Sequence, residues 1–177
     1  MDVRRLIVFA LLMLFGIGMV FIRWRGGLGI SYRVPTGAMS PTIPVGARVI
    51  ANPWAYRSKA PQRGDMIVFS YPLDPNYTYV SRVIAVGGDT IEIRDKAVVL
   101  NGKLISEPHA VHSDVVIYPR SLSLPEPYRS RDQFGPVTVS ANAFFVLGDN
   151  REHASDSRYW GTVPRNLIRA RVVHIFR

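Results

Sequence analysis

The hydrophobic positions of this chain fall into two regimes. Leu6 to Ile22 reads LIVFALLMLFGIGMVFI without a charge, whereas from about Arg33 onward the apolar residues come in short runs punctuated by Gly, Pro, Asn and Asp. The first regime predicts a membrane-spanning helix. Its 17 residues would reach roughly 25 Å, near the ~30 Å of a hydrocarbon core. Trp24 extends the stretch into the interface, and Arg23 and Arg25 are placed to snorkel. Arg4-Arg5 would also suit the basic end of a cleaved leader, but Ile22-Arg23-Trp24-Arg25 offers no small-residue cleavage site, so the segment is expected to remain as an anchor. A buried core helix would not carry arginines at both ends. Arg4 and Arg5, offset by Asp2, face Arg23, Arg25 and Arg33, so charge alone does not orient the span.

The second regime predicts strands. Arg48–Asn52, Met66–Tyr71, Tyr79–Val86, Thr90–Ile93, Ala97–Leu100, Ala143–Leu147 and Arg171–Phe176 are rich in β-branched and aromatic residues. Asn101-Gly102, between Val98–Leu100 and Lys103–Ile105, predicts a type I′ hairpin, and Arg94-Asp95-Lys96 the turn of the hairpin before it. Glu107–Pro136 is Pro- and Ser-rich and reads as a long surface excursion. The expected fold is mainly β: an antiparallel sheet domain, sandwich or partly open barrel, entered from one N-terminal transmembrane helix. The boundaries read as 1–25 anchor, 26–34 juxtamembrane linker and 35–177 β domain, which suits a chain of 177 residues with one core.

Composition removes several function classes. The chain has no cysteine, which excludes disulfides and thiolate metal sites. Its four histidines (His109, His112, His153, His174) lack metal-ligand spacing, so neither metal nor cofactor is expected. The net charge is +9, with arginines flanking the apolar run (Arg4, Arg5, Arg23, Arg25) and near the end (Arg165, Arg169, Arg171, Arg177). No basic stretch is interleaved with stacking aromatics and no helix-turn-helix signature occurs, so solvated surface and membrane lipid headgroups, not nucleic acid, are the expected contacts.

Four segments carry chemistry, in this order: Pro35-Thr36-Gly37-Ala38-Met39-Ser40-Pro41-Thr42; Arg63-Gly64-Asp65-Met66-Ile67-Val68-Phe69; Tyr79-Val80-Ser81-Arg82-Val83-Ile84; and Gly148-Asp149-Asn150-Arg151, continuing through Ser155-Asp156-Ser157-Arg158-Tyr159-Trp160-Gly161-Thr162-Val163-Pro164. Together they resemble the box motifs of bacterial type I signal peptidases (leader peptidases), and the resemblance covers nearly the whole chain. It implies a Ser–Lys dyad serine endopeptidase fold on the extracytoplasmic side of the plasma membrane. In such a site a hydroxyl attacks only when a base lies within hydrogen-bond reach, and a lysine serves as that base only when desolvation lowers its pKa.

This sequence departs from the pattern where the reaction would occur. The resemblance puts the nucleophile at Ala38 and the base at Ser81; a third position, where the family has a serine that orients the lysine, is Ala154. A methyl group cannot attack a carbonyl, and a neutral hydroxyl cannot replace an amine as general base. Thr36 keeps a hydroxyl where the family uses a side chain on the oxyanion. Arg82, Asp149, Asp156 and Arg158 match the family's bracing ion pairs and are expected to support the fold. Ser40 is the fallback nucleophile, although Pro41 restricts its backbone. His153 is the fallback base, since some relatives use Ser–His, and the three lysines (Lys59, Lys96, Lys103) lie in no matching motif. Three departures, one of them Lys to Ser, point to natural loss rather than an engineered knockout.

The expected function is therefore a non-catalytic, membrane-anchored structural or binding subunit. Its partners would be other integral membrane proteins, as in an electron-transfer, photosynthetic or secretion complex, or an extended peptide held in the ancestral groove without being cut. The alternative is an active type I signal peptidase removing signal peptides from exported preproteins. Between them lies an inactive protein that modulates an active paralogue by sequestering preproteins.

Overall fold

A computed structural model describes residues 29–176. The Leu6–Ile22 run, and with it the predicted anchor, lies outside the described residues; among them no helix is long and apolar enough to cross a membrane. The rest is mainly antiparallel β. Eleven strands run in chain order: β1 (Ile30–Arg33), β2 (Arg48–Asn52), β3 (Met66–Tyr71), β4 (Asp74–Val86), β5 (Thr90–Arg94), β6 (Ala97–Leu100), β7 (Lys103–Leu104), β8 (Phe134–Thr138), β9 (Ala143–Leu147), β10 (Val163–Pro164) and β11 (Ile168–Phe176). Two single-turn helices, α1 (Tyr128–Arg131) and α2 (Ser157–Trp160), and a 3-10 turn at Arg165–Leu167 complete the elements of the described residues.

Seven strands form one sheet in the order β1-β2-β11-β3-β4-β9-β10, and four form a second in the order β7-β6-β5-β8. Side-chain parity along the strands builds the core. In β3, Ile67 and Phe69 pack on one face against Val83, Phe144, Val146 and Val163. Val68 points the other way, into a cluster with Met39, Ile43, Val49, Ala51, Ala170 and Val172. Strand β9 is buried along its whole length. Phe144 and Val146 face the first cluster, while Phe145 and Leu147 join Ile91, Ile93, Val98 and Leu100 of the smaller sheet. One strand thus belongs to two cores.

The two hairpins of the smaller sheet follow from their turn residues. Arg94 pairs with Ala97 across Asp95 (φ 51°) and Lys96 (φ 70°), and Leu100 pairs with Lys103 across Asn101 (φ 52°) and Gly102 (φ 76°). Two consecutive positive φ values define the type I′ turn, whose twist matches that of the flanking strands. Residues 30–33, inside the stretch read as a linker, form β1 and pair with β2 from Ile30↔Ala51 to Arg33↔Arg48. The excursion is also shorter than predicted, because Phe134–Thr138 pairs with β5 as β8.

Candidate functional site

A cleft of about 420 Å³ opens where the seven-stranded sheet is incomplete. Strand β4 is 13 residues long, but β9 pairs with it only from Arg82 to Val86, so the β9-side edge of Asp74–Ser81 has no strand partner among the described residues. Strand β1 ends the sheet and likewise has one free edge. Residues Tyr32–Thr36 and Tyr77–Ser81 form the two long walls of the cleft, and Ala38, His153 and Ser155 also line it. Two unpaired edges around one groove can take an extended chain by strand addition.

The segment 35–42 reaches this cleft on a turn held from below. Ser40 N–H donates to the Gly37 carbonyl at 3.0 Å and Ile43 N–H to the Met39 carbonyl at 2.8 Å, while Met39 and Ile43 are wholly buried. Met39 thereby pins the turn and leaves Ala38 against the cleft. The Ala38 carbonyl accepts a hydrogen bond from Asn150 N–H at 3.0 Å. A Cβ built on Gly148 would lie 2.6 Å from that same carbonyl oxygen and 2.3 Å from the Cβ of Ala154, so only glycine lets the 148–151 turn approach so closely.

Asp149 is the hub of the bracing. Its carboxylate accepts from Arg82 Nε (2.8 Å) and Nη2 (2.7 Å) and from Thr42 Oγ1 (2.6 Å), and its carbonyl accepts from Val111 N–H (2.7 Å). Arg82 also donates through Nη1 to the Gly64 carbonyl at 3.0 Å. One carboxylate therefore ties together all four motif segments. The second pair is as deep: Asp156 accepts from Arg158 Nε and Nη2 (2.8 Å each) and from Gly148 N–H (3.1 Å), and Arg158 donates onward to the carbonyls of Arg131 and Arg151. Burial opposes the Arg158 charge, but Asp156 beside it holds its pKa above the ordinary arginine value. Both pairs are almost fully buried, so each charge depends on its partner.

The sequence-predicted positions separate into two groups. Ala38, Ser81, Thr36 and His153 line the cleft; Arg82, Asp149, Asp156 and Arg158 do not react with it but hold its walls. Ala154 is buried beside Gly148, at the back of the Ala38 turn. Ser81 and Arg82 are neighbours on β4, so the pleat sends them to opposite sides. Ser81 is 3% exposed and its hydroxyl makes no hydrogen bond among the described residues. Ser40, the fallback nucleophile, does not line the cleft; Ser155, which the motif reading passed over, does. His153 Nδ1 lies 3.1 Å from Asn150 Oδ1. None of the three lysines lines the cleft. Lys96 instead donates to the Asp114 carbonyl at 2.7 Å and to Glu152 at 2.8 Å.

Known proteins resemble this chain along most of its length. A family model described as signal peptidase, peptidase S26, matches residues 2–177. The chain is 33% identical over 164 residues to a signal peptidase I of Pseudomonas aeruginosa, covering 77% of this chain and 58% of that protein. It is 34% identical over 148 residues to a signal peptidase I of Leptolyngbya laminosa (79% and 64%) and 28% identical over 191 residues to one of Aquifex aeolicus (82% and 75%). The chain thus spans less than two thirds of the length of the first two of these relatives. A crystal structure of a signal peptidase I from Enterococcus faecalis matches 65% of this chain and 98% of its own, at 28% identity and a TM-score of 0.49. With its four motif segments joined through one buried carboxylate and the family match running from residue 2 to the end, the chain belongs to the signal peptidase family, peptidase S26.

Proposed function

We propose that this protein holds an extended peptide in the β1–β4 cleft without cutting it by Ser–Lys chemistry, as a membrane-anchored binding subunit on the extracytoplasmic side. One observation carries the reading: the positions that the resemblance aligns with nucleophile and base, Ala38 and Ser81, line the same groove, and they present a methyl and a neutral hydroxyl there. Free edges on β1 and β4 support peptide binding by strand addition, which needs neither nucleophile nor base. Its partners would be other integral membrane proteins, met through the apolar run at Leu6–Ile22, or a chain segment that such a protein inserts into the cleft.

A second reading, cleavage of exported preproteins, is favoured by the relatives, which are named signal peptidase I. It is also favoured by His153 and Ser155, which line the cleft together, with Asn150 available to fix the imidazole. The test is a preprotein cleavage assay on the full-length chain in detergent, beside the double variant Ala38→Ser/Ser81→Lys, with binding of the same preprotein measured in parallel. Binding without cleavage by the native chain is expected. Specific cleavage by the native chain that is lost in His153→Ala would replace the first reading with the second.

A further inference from the structure

The loop after β2 and the segment around the 3-10 turn enclose a second, small pocket lined by Pro53, Tyr56, Arg57, Arg165, Ile168 and Arg169. Its volume is about 140 Å³, below the ~300 Å³ at which pockets for drug-sized ligands begin. Three of its six lining residues are arginines and none is acidic.

Each deeply buried arginine elsewhere has a carboxylate: Arg82 has Asp149, Arg131 has Asp114 and Asp132, Arg151 has Glu107, and Arg158 has Asp156. Arg165 is half-buried and Arg57 and Arg169 are exposed, and none of the three takes part in an ion pair among the described residues. The neighbouring acid, Asp65, is already engaged by Tyr56 Oη, Gln62 N–H and Arg171 Nε, each at 3.0 Å. Arg165 is held in place by Nη2, which donates to the carbonyls of Tyr56 and Lys59, yet its Nη1 is buried with no hydrogen-bond partner. Arg169 spends Nε and Nη2 on Ser70 Oγ, at 3.0 and 2.9 Å. Arg57 lies 3.8 Å over the ring of Trp54, which leaves the guanidinium edges open to a ligand.

Like charges gathered without a counterion repel, and a buried N–H without an acceptor loses the solvation it had in water. A phosphate group removes both penalties, because it brings negative charge and several acceptor oxygens to guanidinium forks. The location favours one source. Pro53 directly follows β2, where Ala51 pairs with Ile30, the first residue of β1. The pocket therefore sits at the end of the sheet where the chain enters from the segment containing the apolar run. Trp54, half exposed beside it, has the amphipathic ring that suits a membrane interface. We propose that Arg57, Arg165 and Arg169 form a binding site for a phosphate group, as presented by an anionic phospholipid headgroup.

The test uses the full-length chain in neutral detergent and phosphate-free buffer at low salt. It is titrated calorimetrically with short-chain phosphatidylglycerol, with inorganic phosphate, and with a short-chain diacylglycerol that lacks the phosphate. Saturable binding of phosphatidylglycerol is expected, with no saturation by the diacylglycerol. Arg57→Gln and Arg165→Gln should each weaken it about tenfold or more. Binding of phosphatidylglycerol alone identifies a lipid headgroup site; binding of inorganic phosphate as well identifies a site for the bare group, and both outcomes support the proposal. Arg165→Gln removes two bonds to the chain and could disturb the loop, so Arg57→Gln, which breaks no hydrogen bond, decides the matter. No saturable binding of either phosphate probe, or undiminished binding in Arg57→Gln, overturns the site.

Discussion

The smallest changes with the largest expected effects lie in the bracing of the cleft. Removing Asp149 would strip Arg82 of its only carboxylate among the described residues while leaving the guanidinium buried. Asp149→Ala is expected to cost about 3–5 kcal/mol, read as a lowered midpoint in urea denaturation. Gly148→Ala should also destabilise, by about 1–3 kcal/mol, because one of the atoms that its Cβ would strike is the backbone carbonyl of Ala38, which cannot swing away. Changes at Ser81 should behave differently. Its hydroxyl has no partner to lose among the described residues, so Ser81→Ala is expected to leave the same denaturation midpoint within ~0.5 kcal/mol. The sequence reading set Arg82, Asp149, Asp156 and Arg158 apart as frame, and they form two buried ion pairs, while Ala38 and Ser81, read as altered chemistry, line the cleft. Ser155 was missed because a serine inside a recognised motif gives no sign of which way its side chain points.

At the scale of elements, the excursion between β7 and β8, read from the sequence as a long surface segment, is clamped to the domain. Glu152, in the turn after Asn150-Arg151, accepts from Lys96 Nζ, from Ser113 N–H and from His112 Nδ1. Arg131 of α1 links Asp114 and Asp132. These partners lie far apart in the chain, and no local pattern foretells such pairings. Burial pushes the Glu152 carboxyl up, but its bonds to Lys96, Ser113 and His112 outweigh this and bring its pKa from 4.5 down to about 2. A pKa lowered by folding stabilises the folded state above the unfolded value, and that contribution fades as pH falls through the folded one. The melting temperature is therefore expected to drop between about pH 4.5 and pH 2, and Glu152→Gln should flatten that drop. The strands themselves were easier to read. Arg48–Asn52, Met66–Tyr71, Ala97–Leu100 and Ala143–Leu147 fall where hydrophobic runs predicted them, since burial and pattern agree there. β1, β8 and β10 escaped notice because they are short, because β1 and β8 are mostly exposed, and because β8 and β10 each contain a proline, which argues against a strand.

At the scale of the whole molecule, the two sheets are joined by β9, whose alternate residues belong to different cores. Loss of packing on either side should be felt by both. Phe145→Ala is expected to cost about 3–5 kcal/mol, and the β domain should unfold in one calorimetric transition, not two. Separate transitions for the two sheets would show that β9 does not couple them. Strand β4 carries a different consequence. Its pleat puts Ser81 on the cleft side and Arg82 on the bracing side, one residue apart. Under the proposed function, reactivity and foldability are inherited through separate letters of the sequence. A lineage can surrender a cutting function, take up a holding one, and return, by steps at which every ancestor along the way still folds.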